Sequence, residues 1–132
     1  MPNPPVIAVV EDDAAMREAL SELLEVLSLS SRTFDRAEAF LTELSPGRFD
    51  CLITDLHLPG INGLELHQRL KALGSSIPVI VITSSLDPLH RTRAMQEGAF
   101  AYLTKPFSDK VLIGHVTRAL DQVNRPREPG EG

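Results

Sequence analysis

The chain has 132 residues, of which 42% are hydrophobic and 23% charged, and its formal net charge is −5. A chain of this length forms one domain around one buried core, and the composition is that of an ordinary globular protein. The acidic balance and the lack of any segment rich in Lys or Arg argue against a general nucleic-acid-binding surface.

The N-terminus, the apolar stretches and the cysteine content together predict a cytoplasmic protein. Residues 1–5, Met-Pro-Asn-Pro-Pro, lack the positive and apolar regions of a secretory signal. The longest apolar stretch, residues 77–82, is too short to cross a bilayer. Cys51 is the only cysteine and lies in an apolar run, so we expect a buried reduced thiol and no disulfide within the chain.

The first part of the chain alternates between strand-like and helix-like segments. Val6–Val10 is an apolar, β-branched run typical of a strand buried on both faces. Asp13 is expected to cap a helix whose apolar residues recur at steps of three and four. Residues 31–34 form a weaker strand candidate. Asp35 is then expected to cap a second helix, which ends before Pro46 and Gly47.

The same alternation continues to the end of the chain. Further strands are predicted at residues 51–54, 78–83 and 100–103. The helix after the third strand is expected to end at Gly74. Asp87 and Pro88 predict the start of the next helix, which should end at Gly98. Ser108 is expected to cap the last helix.

Five β-α pairs with short connections predict an α/β fold. We expect a doubly wound, five-stranded parallel sheet with right-handed crossovers and five helices on its two faces. Residues 1–124 are predicted to form the domain. Residues 125–132 are rich in Pro, Gly and charge, so they are predicted to be a disordered tail or a truncated linker.

Acidic residues follow two of the predicted strands. Glu11, Asp12 and Asp13 come directly after the first strand, and Asp55 comes directly after the third. Ligands of open α/β sheets bind at the carboxyl ends of the strands, where the strand order reverses. Carboxylates gathered there repel one another unless a cation neutralises them. The pattern therefore predicts an acidic, cation-binding pocket at this edge of the sheet.

Four motifs, each at the end of a different predicted strand, are residues 9–13, 54–63, 82–84 and 102–107. Together they closely resemble the receiver domain of two-component response regulators, over roughly residues 6–123. The segments 56–59, 77–84 and 99–107 are most similar to receivers of LuxR-type transcription regulators. The resemblance implies the flavodoxin-like strand order 2-1-3-4-5.

The resemblance also implies roles for the acidic residues. Asp55 would be the phosphoacceptor, since a carboxylate can form an aspartyl-phosphate; the alternative is a strand-end Asp that caps the next turn. Asp12, Asp55 and the backbone carbonyl of His57 would bind Mg²⁺, with Glu11 acting through a water. Many receivers have Asp at the position of Glu11, where this chain keeps the charge on a longer side chain. Asp13 is expected to act only as the helix cap.

Lys105, Thr83 and three neighbours complete the implied site. Lys105 would supply a second positive charge for the phosphoryl group, and the resemblance implies a cis bond between Lys105 and Pro106. Thr83 would bind a phosphoryl oxygen, or else cap the next turn. Tyr102 would change rotamer with Thr83; a tyrosine considered alone would be half-buried with its hydroxyl in water. Ser84 would leave room for the phosphoryl group, or be an ordinary loop serine.

Other residues near these motifs have simpler explanations. Gly60 and Gly63 are explained by a structural turn, and the side chain of His57 is expected to lie in solvent. The remaining histidines fall on predicted helices with no spacing that indicates a metal site: His67, His90 and His115.

The implied function is a signalling switch and not a metabolic enzyme. A sensor histidine kinase or a phosphotransfer protein would be the donor for Mg²⁺-dependent phosphorylation of Asp55. Phosphorylation would shift a population of states and change the face formed by the fourth helix, the fifth strand and the last helix. Stronger partner binding or self-association would follow. An output domain is expected either attached to this chain or as a separate protein.

The site residues argue against three alternative functions. A receiver-like scaffold would bind partners without being phosphorylated, although the complete set of site residues argues against it. A phosphohydrolase that resembles the haloacid dehalogenases would need a second Asp two residues after Asp55, where this chain has His57. A nucleotide- or flavin-binding domain would need a phosphate-binding loop after the first strand, where this chain has three acidic residues.

Overall fold

A computed structural model describes residues 4–124, with side chains described as far as residue 122. The predicted tail or linker, residues 125–132, lies outside the described residues. Five parallel strands form one sheet in the order β2-β1-β3-β4-β5, which confirms the expected topology. The strands are β1 (Val6–Val10), β2 (Ser30–Phe34), β3 (Cys51–Asp55), β4 (Val79–Thr83) and β5 (Ala101–Thr104).

A helix follows each strand, as predicted. The helices are α1 (Ala14–Val26), α2 (Ala37–Glu43), α3 (Gly63–Ala72), α4 (Pro88–Gln96) and α5 (Asp109–Asn124). Within the described part of the chain, no helix has the length and apolar character needed to cross a membrane.

Most predicted helix caps are present. The Asp13 carboxylate accepts hydrogen bonds from the backbone N–H groups of Ala15 and Met16. Asp87 caps α4, and the N–H of Val111 donates to the Ser108 hydroxyl at 3.1 Å. These side chains satisfy backbone donors that the first helical turn leaves unpaired.

The predicted cap of α2 is wrong. Arg36, not Asp35, occupies the cap position, with an extended backbone and no capping side-chain bond. A cap at Asp35 would make residue 36 the first residue of the helix, but α2 begins at Ala37. The Asp35 carboxylate instead accepts a hydrogen bond from the Arg36 guanidinium at 3.3 Å, on the exposed surface.

Helices cover both faces of the sheet. On one face, buried residues of α2, α3 and α4 pack against the strands around Phe34, Phe40 and Phe49. On the other face, residues of α1 and α5 such as Leu24 and Leu112 pack against an aliphatic cluster. Burial on both faces explains why β1, β3 and β4 are almost wholly apolar.

The strand register brings the carboxyl ends of the strands to one edge. Val10 of β1 pairs with Thr54 of β3, and Asp55 pairs with Ile82 of β4. Thr83 in turn pairs with Thr104 of β5. The residues that end these strands therefore lie side by side along what we term the carboxyl edge.

Candidate functional site

Four charged side chains meet at the carboxyl edge. Glu11 and Asp12 follow β1, Asp55 ends β3, and Lys105 follows β5. The Lys105 Nζ lies 2.7 Å from Glu11 Oε1 and 3.0 Å from Asp55 Oδ2. Ligand oxygens of the three carboxylates all lie within 4.8 Å of one another. The predicted convergence of acidic residues at this edge is thus present, with the lysine among them.

Burial sets the charge balance of this cluster. Glu11 is fully buried, and Asp55 is 7% exposed. Burial raises the pKa of Glu11 to about 7, against the lowering effect of its bonds to Lys105 and to the Asp13 N–H. Burial also acts to lower the pKa of Lys105, but its hydrogen bonds to Glu11 and Asp55 outweigh this and raise the pKa. The ammonium group therefore stays charged between the two carboxylates.

The residues present fit a hard divalent cation. Mg²⁺ takes oxygen ligands and commonly uses one or two carboxylates together with water. Asp12 is exposed while Asp55 is buried, so the carboxylate cluster opens to solvent on one side. Among the described residues, this is the one group of three acidic, His or Cys side chains close enough to hold a metal. No histidine side chain of the described residues belongs to this group.

Glu11 makes direct hydrogen bonds to other residues, in addition to the water-mediated contact with Mg²⁺ that the resemblance implies. Its Oε1 accepts from Lys105, and its Oε2 accepts from the N–H of Asp13 at 3.1 Å. Its backbone carbonyl accepts from the Arg17 guanidinium at 2.8 Å. Glu11 therefore positions Lys105 directly, and no local pattern in the sequence indicated Arg17.

Thr83 and Ser84 lie at the same edge. Thr83 is fully buried, and its Oγ1 accepts a hydrogen bond from the Ser85 N–H at 3.0 Å. The turn-capping alternative is therefore observed. It does not compete with binding a phosphoryl oxygen, because a hydroxyl can accept one bond and donate another. Ser84 is exposed beside it.

Tyr102 is more deeply buried than the half-buried position expected for a tyrosine outside any motif. It is 6% exposed, and its hydroxyl has no hydrogen-bond partner among the described residues. The Arg91 guanidinium lies 5.5 Å from the ring centroid, where a cation is attracted by the ring. Burial raises the pKa of the Tyr102 hydroxyl. The bond between Lys105 and Pro106 is cis, as expected.

The loop after Asp55 is held by contacts that no motif indicated. The Asp55 Oδ1 accepts from the His57 N–H at 3.1 Å. A Cβ on Gly60 would collide with the Glu38 carboxylate, and one on Gly63 would collide with the backbone carbonyl of Asp55. Gly63 is therefore required for space, because the backbone of Asp55 cannot rotate away. Gly60 is required for its φ angle of 72°, since the Glu38 carboxylate ends a flexible, exposed side chain that can move aside.

Comparisons with known proteins agree with this geometry. The response regulator receiver domain family matches residues 7–117. The transcriptional regulatory protein FixJ of Bradyrhizobium diazoefficiens is 39% identical over 116 residues, which are 88% of this chain and 57% of FixJ. The response regulator protein TodT of Pseudomonas putida is 37% identical over 87% of this chain and 51% of its own length.

A solved structure gives the same result. The response regulator StyR superimposes with a TM-score of 0.86 at 36% identity, over 92% of this chain and 61% of the StyR chain. The chain spans about half the length of the curated relatives FixJ and TodT. By sequence match, fold and site, this chain belongs to the response regulator receiver domain family.

Proposed function

We propose that this domain is a phosphoacceptor switch and that Asp55 receives the phosphoryl group from a phosphohistidine. The donor would be a sensor histidine kinase or a phosphotransfer protein. The observation that supports this most strongly is the Lys105 ammonium, held between the buried carboxylates of Glu11 and Asp55. It supplies positive charge beside the oxygen that would attack.

The transfer is a displacement at phosphorus. An oxygen of Asp55 forms the new O–P bond while the P–N bond of the phosphohistidine breaks, and the imidazole nitrogen takes the electron pair. The protein contributes chiefly by positioning and by stabilising charge on the phosphoryl oxygens. Lys105 and the Thr83 hydroxyl are the donors proposed for these oxygens. Hydrolysis of the O–P bond then returns Asp55 to its carboxylate.

Magnesium is the proposed cofactor. The carboxylates of Asp12 and Asp55, the backbone carbonyl of His57, and Glu11 through a water would hold it. When bound, Mg²⁺ neutralises charge on the phosphoryl oxygens and on the acidic cluster. The domain would catalyse only its own phosphorylation and dephosphorylation.

The output is proposed to be a change of the surface formed by α4, β5 and α5. Thr83 and Ser84 would contact the phosphoryl group, Pro106 would fix the direction of Lys105, and Tyr102 would change rotamer with Thr83. The Tyr102 hydroxyl is buried and has no hydrogen-bond partner within residues 4–124. This supports a two-state side chain, because burying an unpaired hydroxyl costs about 1–3 kcal/mol. Phosphorylation would then strengthen partner binding or homodimer formation.

We also propose the bounds of the domain, its output domain and its location in the cell. Residues 1–124 would act as the receiver, with residues 125–132 as a tail or the start of a linker. FixJ is named a transcriptional regulatory protein, which supports an output domain that binds DNA, attached to this chain or separate. The receiver itself, with its net charge of −5, would not bind nucleic acid. It would work in the cytoplasm.

The test is labelling by a small phosphodonor, acetyl phosphate, in the presence of Mg²⁺. We expect the wild-type protein to gain one phosphoryl group and the Asp55→Asn variant to gain none. Asp121→Asn, which changes an exposed aspartate of α5, is the control and should label like the wild type. Undiminished labelling of Asp55→Asn would refute the assignment, as would labelling that does not depend on Mg²⁺.

A further inference from the structure

Two histidines from different elements meet beside the site. His57 belongs to the loop that follows Asp55, and His90 lies in the first turn of α4. Their ring centroids are 5.2 Å apart with an interplanar angle of 71°, an edge-to-face contact. Aromatic rings prefer this arrangement because the edge of one ring carries positive charge and the face of the other negative charge. The contact joins α4 to the phosphoacceptor loop.

His90 also contacts the loop between β4 and α4. Its Nδ1 lies 2.6 Å from the Ser85 Oγ, within a short hydrogen bond. The backbone N–H of Ser85 donates to the Thr83 Oγ1 at 3.0 Å. On the other side, the backbone N–H of His57 donates to Asp55 Oδ1 at 3.1 Å. His57 therefore links His90 to Asp55, and Ser85 links His90 to Thr83.

We propose that His90 is a positioning residue that couples phosphorylation of Asp55 to helix α4 through His57 and Ser85. The proposal rests on the phosphoacceptor function proposed above. A phosphoryl group on Asp55 changes the acceptor of the His57 N–H, and a bond to the Thr83 hydroxyl moves the acceptor of the Ser85 N–H. Both changes reach the same imidazole. This route to α4 is separate from the route through Tyr102.

Three substitutions separate the two contacts of His90. His90→Phe keeps an aromatic ring against His57 but loses the bond to Ser85. His90→Asn keeps a polar group near the position of Nδ1 but loses the ring. His90→Ala loses both. The control is His115→Ala, since His115 lies on α5 and its Nδ1 contacts only Arg118 among the described hydrogen-bond partners.

The measurement compares two probes after addition of Mg²⁺ and beryllofluoride, a phosphoryl mimic. The first probe is the change in the backbone amide NMR signals of α4. The second is the fluorescence of Tyr102, which reports on a single site because the chain has one tyrosine and no tryptophan. In His90→Ala we expect the α4 change to fall at least twofold while the Tyr102 response is kept. His90→Phe and His90→Asn should each keep part of the α4 change.

The outcomes separate this proposal from the proposed function. No labelling of the wild-type protein by acetyl phosphate would refute the function of Asp55 itself. Normal labelling with a full α4 response in His90→Ala would refute only the coupling role of His90. Loss of labelling in His90→Ala would also overturn it, because His90 would then act in the chemistry instead.

A second experiment tests the contact without phosphorylation. The midpoint of thermal unfolding is measured for His57→Ala, His90→Ala and the double variant, in the absence of Mg²⁺. If the rings interact, the double variant should lose less than the sum of the two single shifts. Additive shifts would show that the ring contact contributes nothing, and would overturn the proposal.

Discussion

The carboxyl ends and the amino ends of the five parallel strands lie at opposite edges of the sheet. Loops connect strands and helices at both edges, but the side chains found there differ in charge. At the carboxyl edge, Glu11, Asp55 and Lys105 bring charge into the interior. At the opposite edge, which we term the amino edge, the loops before β3 and β4 line a cavity of about 420 Å³ that is open to solvent. Its lining includes the apolar side chains of Phe49 and Ile77.

Glycines serve different purposes at the two edges. Gly47 and Gly74, at the amino edge, have φ angles of 74° and 79°, and a Cβ on either would meet no atom within 4 Å. They are needed for their backbone angle alone. At the carboxyl edge, a Cβ on Gly63 would strike the backbone of Asp55 and Leu56. That glycine is needed because another part of the chain fills the space.

This difference between the two edges shows where the fold accommodates buried charge and close backbone packing. Buried carboxylates cost free energy unless they are paired, and only the carboxyl edge has the lysine that pairs them. The backbone of Asp55 packs closely against Gly63, and its side chain contacts Lys105, whereas the glycines at the amino edge have free space around them. Substitutions should therefore have larger effects at the carboxyl edge than matched ones at the amino edge.

The largest effect is expected for Gly63→Ala. The added methyl group would meet backbone atoms that cannot rotate away, so we expect the free energy of unfolding to fall by about 3 kcal/mol. The matched variant Gly74→Ala should cost only about 1 kcal/mol, for its left-handed backbone. Urea unfolding measures both values. Equal losses would contradict the proposed difference between the edges. Gly63→Ala should also slow labelling of Asp55.

An intermediate effect is expected for Lys105→Met. It leaves Glu11 and Asp55 buried without their cation, so we expect a loss of about 2 kcal/mol in the free energy of unfolding without Mg²⁺. Added Mg²⁺ should restore part of this loss, because a ligand that binds only the folded state stabilises it.

The control for this variant is Lys71→Met at the amino edge. Lys71 lies 3.5 Å from Glu97, and its side chain is 52% exposed. An exposed pair of this kind contributes less than about 1 kcal/mol, so its loss should be small and insensitive to Mg²⁺. A loss as large as that of Lys105→Met would mean that burial does not set the strength of the Lys105 contacts.

The smallest effect concerns His67 and pH. His67 is buried beside the amino edge, and its Nδ1 has no hydrogen-bond partner among the described residues. Burial lowers its pKa below the ordinary value of 6.5, and the charge of Lys71 adds to this. Below pH 6.5 the unfolded chain binds a proton at His67 that the folded chain resists. The stability of the folded state should therefore fall as the pH falls through this range.

His67→Gln removes the proton that the unfolded chain binds at position 67. We expect the wild-type protein to lose more stability than this variant between about pH 8 and about pH 5. Chemical unfolding at both pH values, with His115→Gln as a second variant, measures the difference. His115 is less buried than His67, so its substitution should alter the pH dependence less. Parallel pH profiles for the wild type and His67→Gln would contradict the lowered pKa.

Local patterns were enough to predict most of the secondary structure. The apolar run of β1 and the caps Asp13, Asp87 and Ser108 placed their elements within a residue or two of the observed bounds. These signals work because a strand buried on both faces, or an unpaired first turn of a helix, needs particular residues nearby in sequence. The strand order came from resemblance to a known family. The predicted Asp35 cap is wrong because α2 begins one residue later in the chain, with Arg36 at the cap position.

The side-chain contacts of the site were less predictable. Motifs indicated that Asp55, Thr83 and Lys105 belong together, but not that Glu11 would be fully buried and bound to Lys105. They also did not indicate the buried hydroxyl of Tyr102, or the contact between His57 and His90. Each of these contacts depends on how helices pack over the strand ends. Such packing joins residues that are far apart in the chain, so it produces no periodic pattern of residues.

The sequence by itself determined where each strand ends to within one residue, because strand and helix signals act over a few neighbouring positions. Only the tertiary structure decided which of the residues at the strand ends touch. Lys105 reaches Glu11 across 94 positions of the chain and Asp55 across 50. Pairing at such separations follows from strand order and register, which bring distant strand ends to within hydrogen-bonding distance.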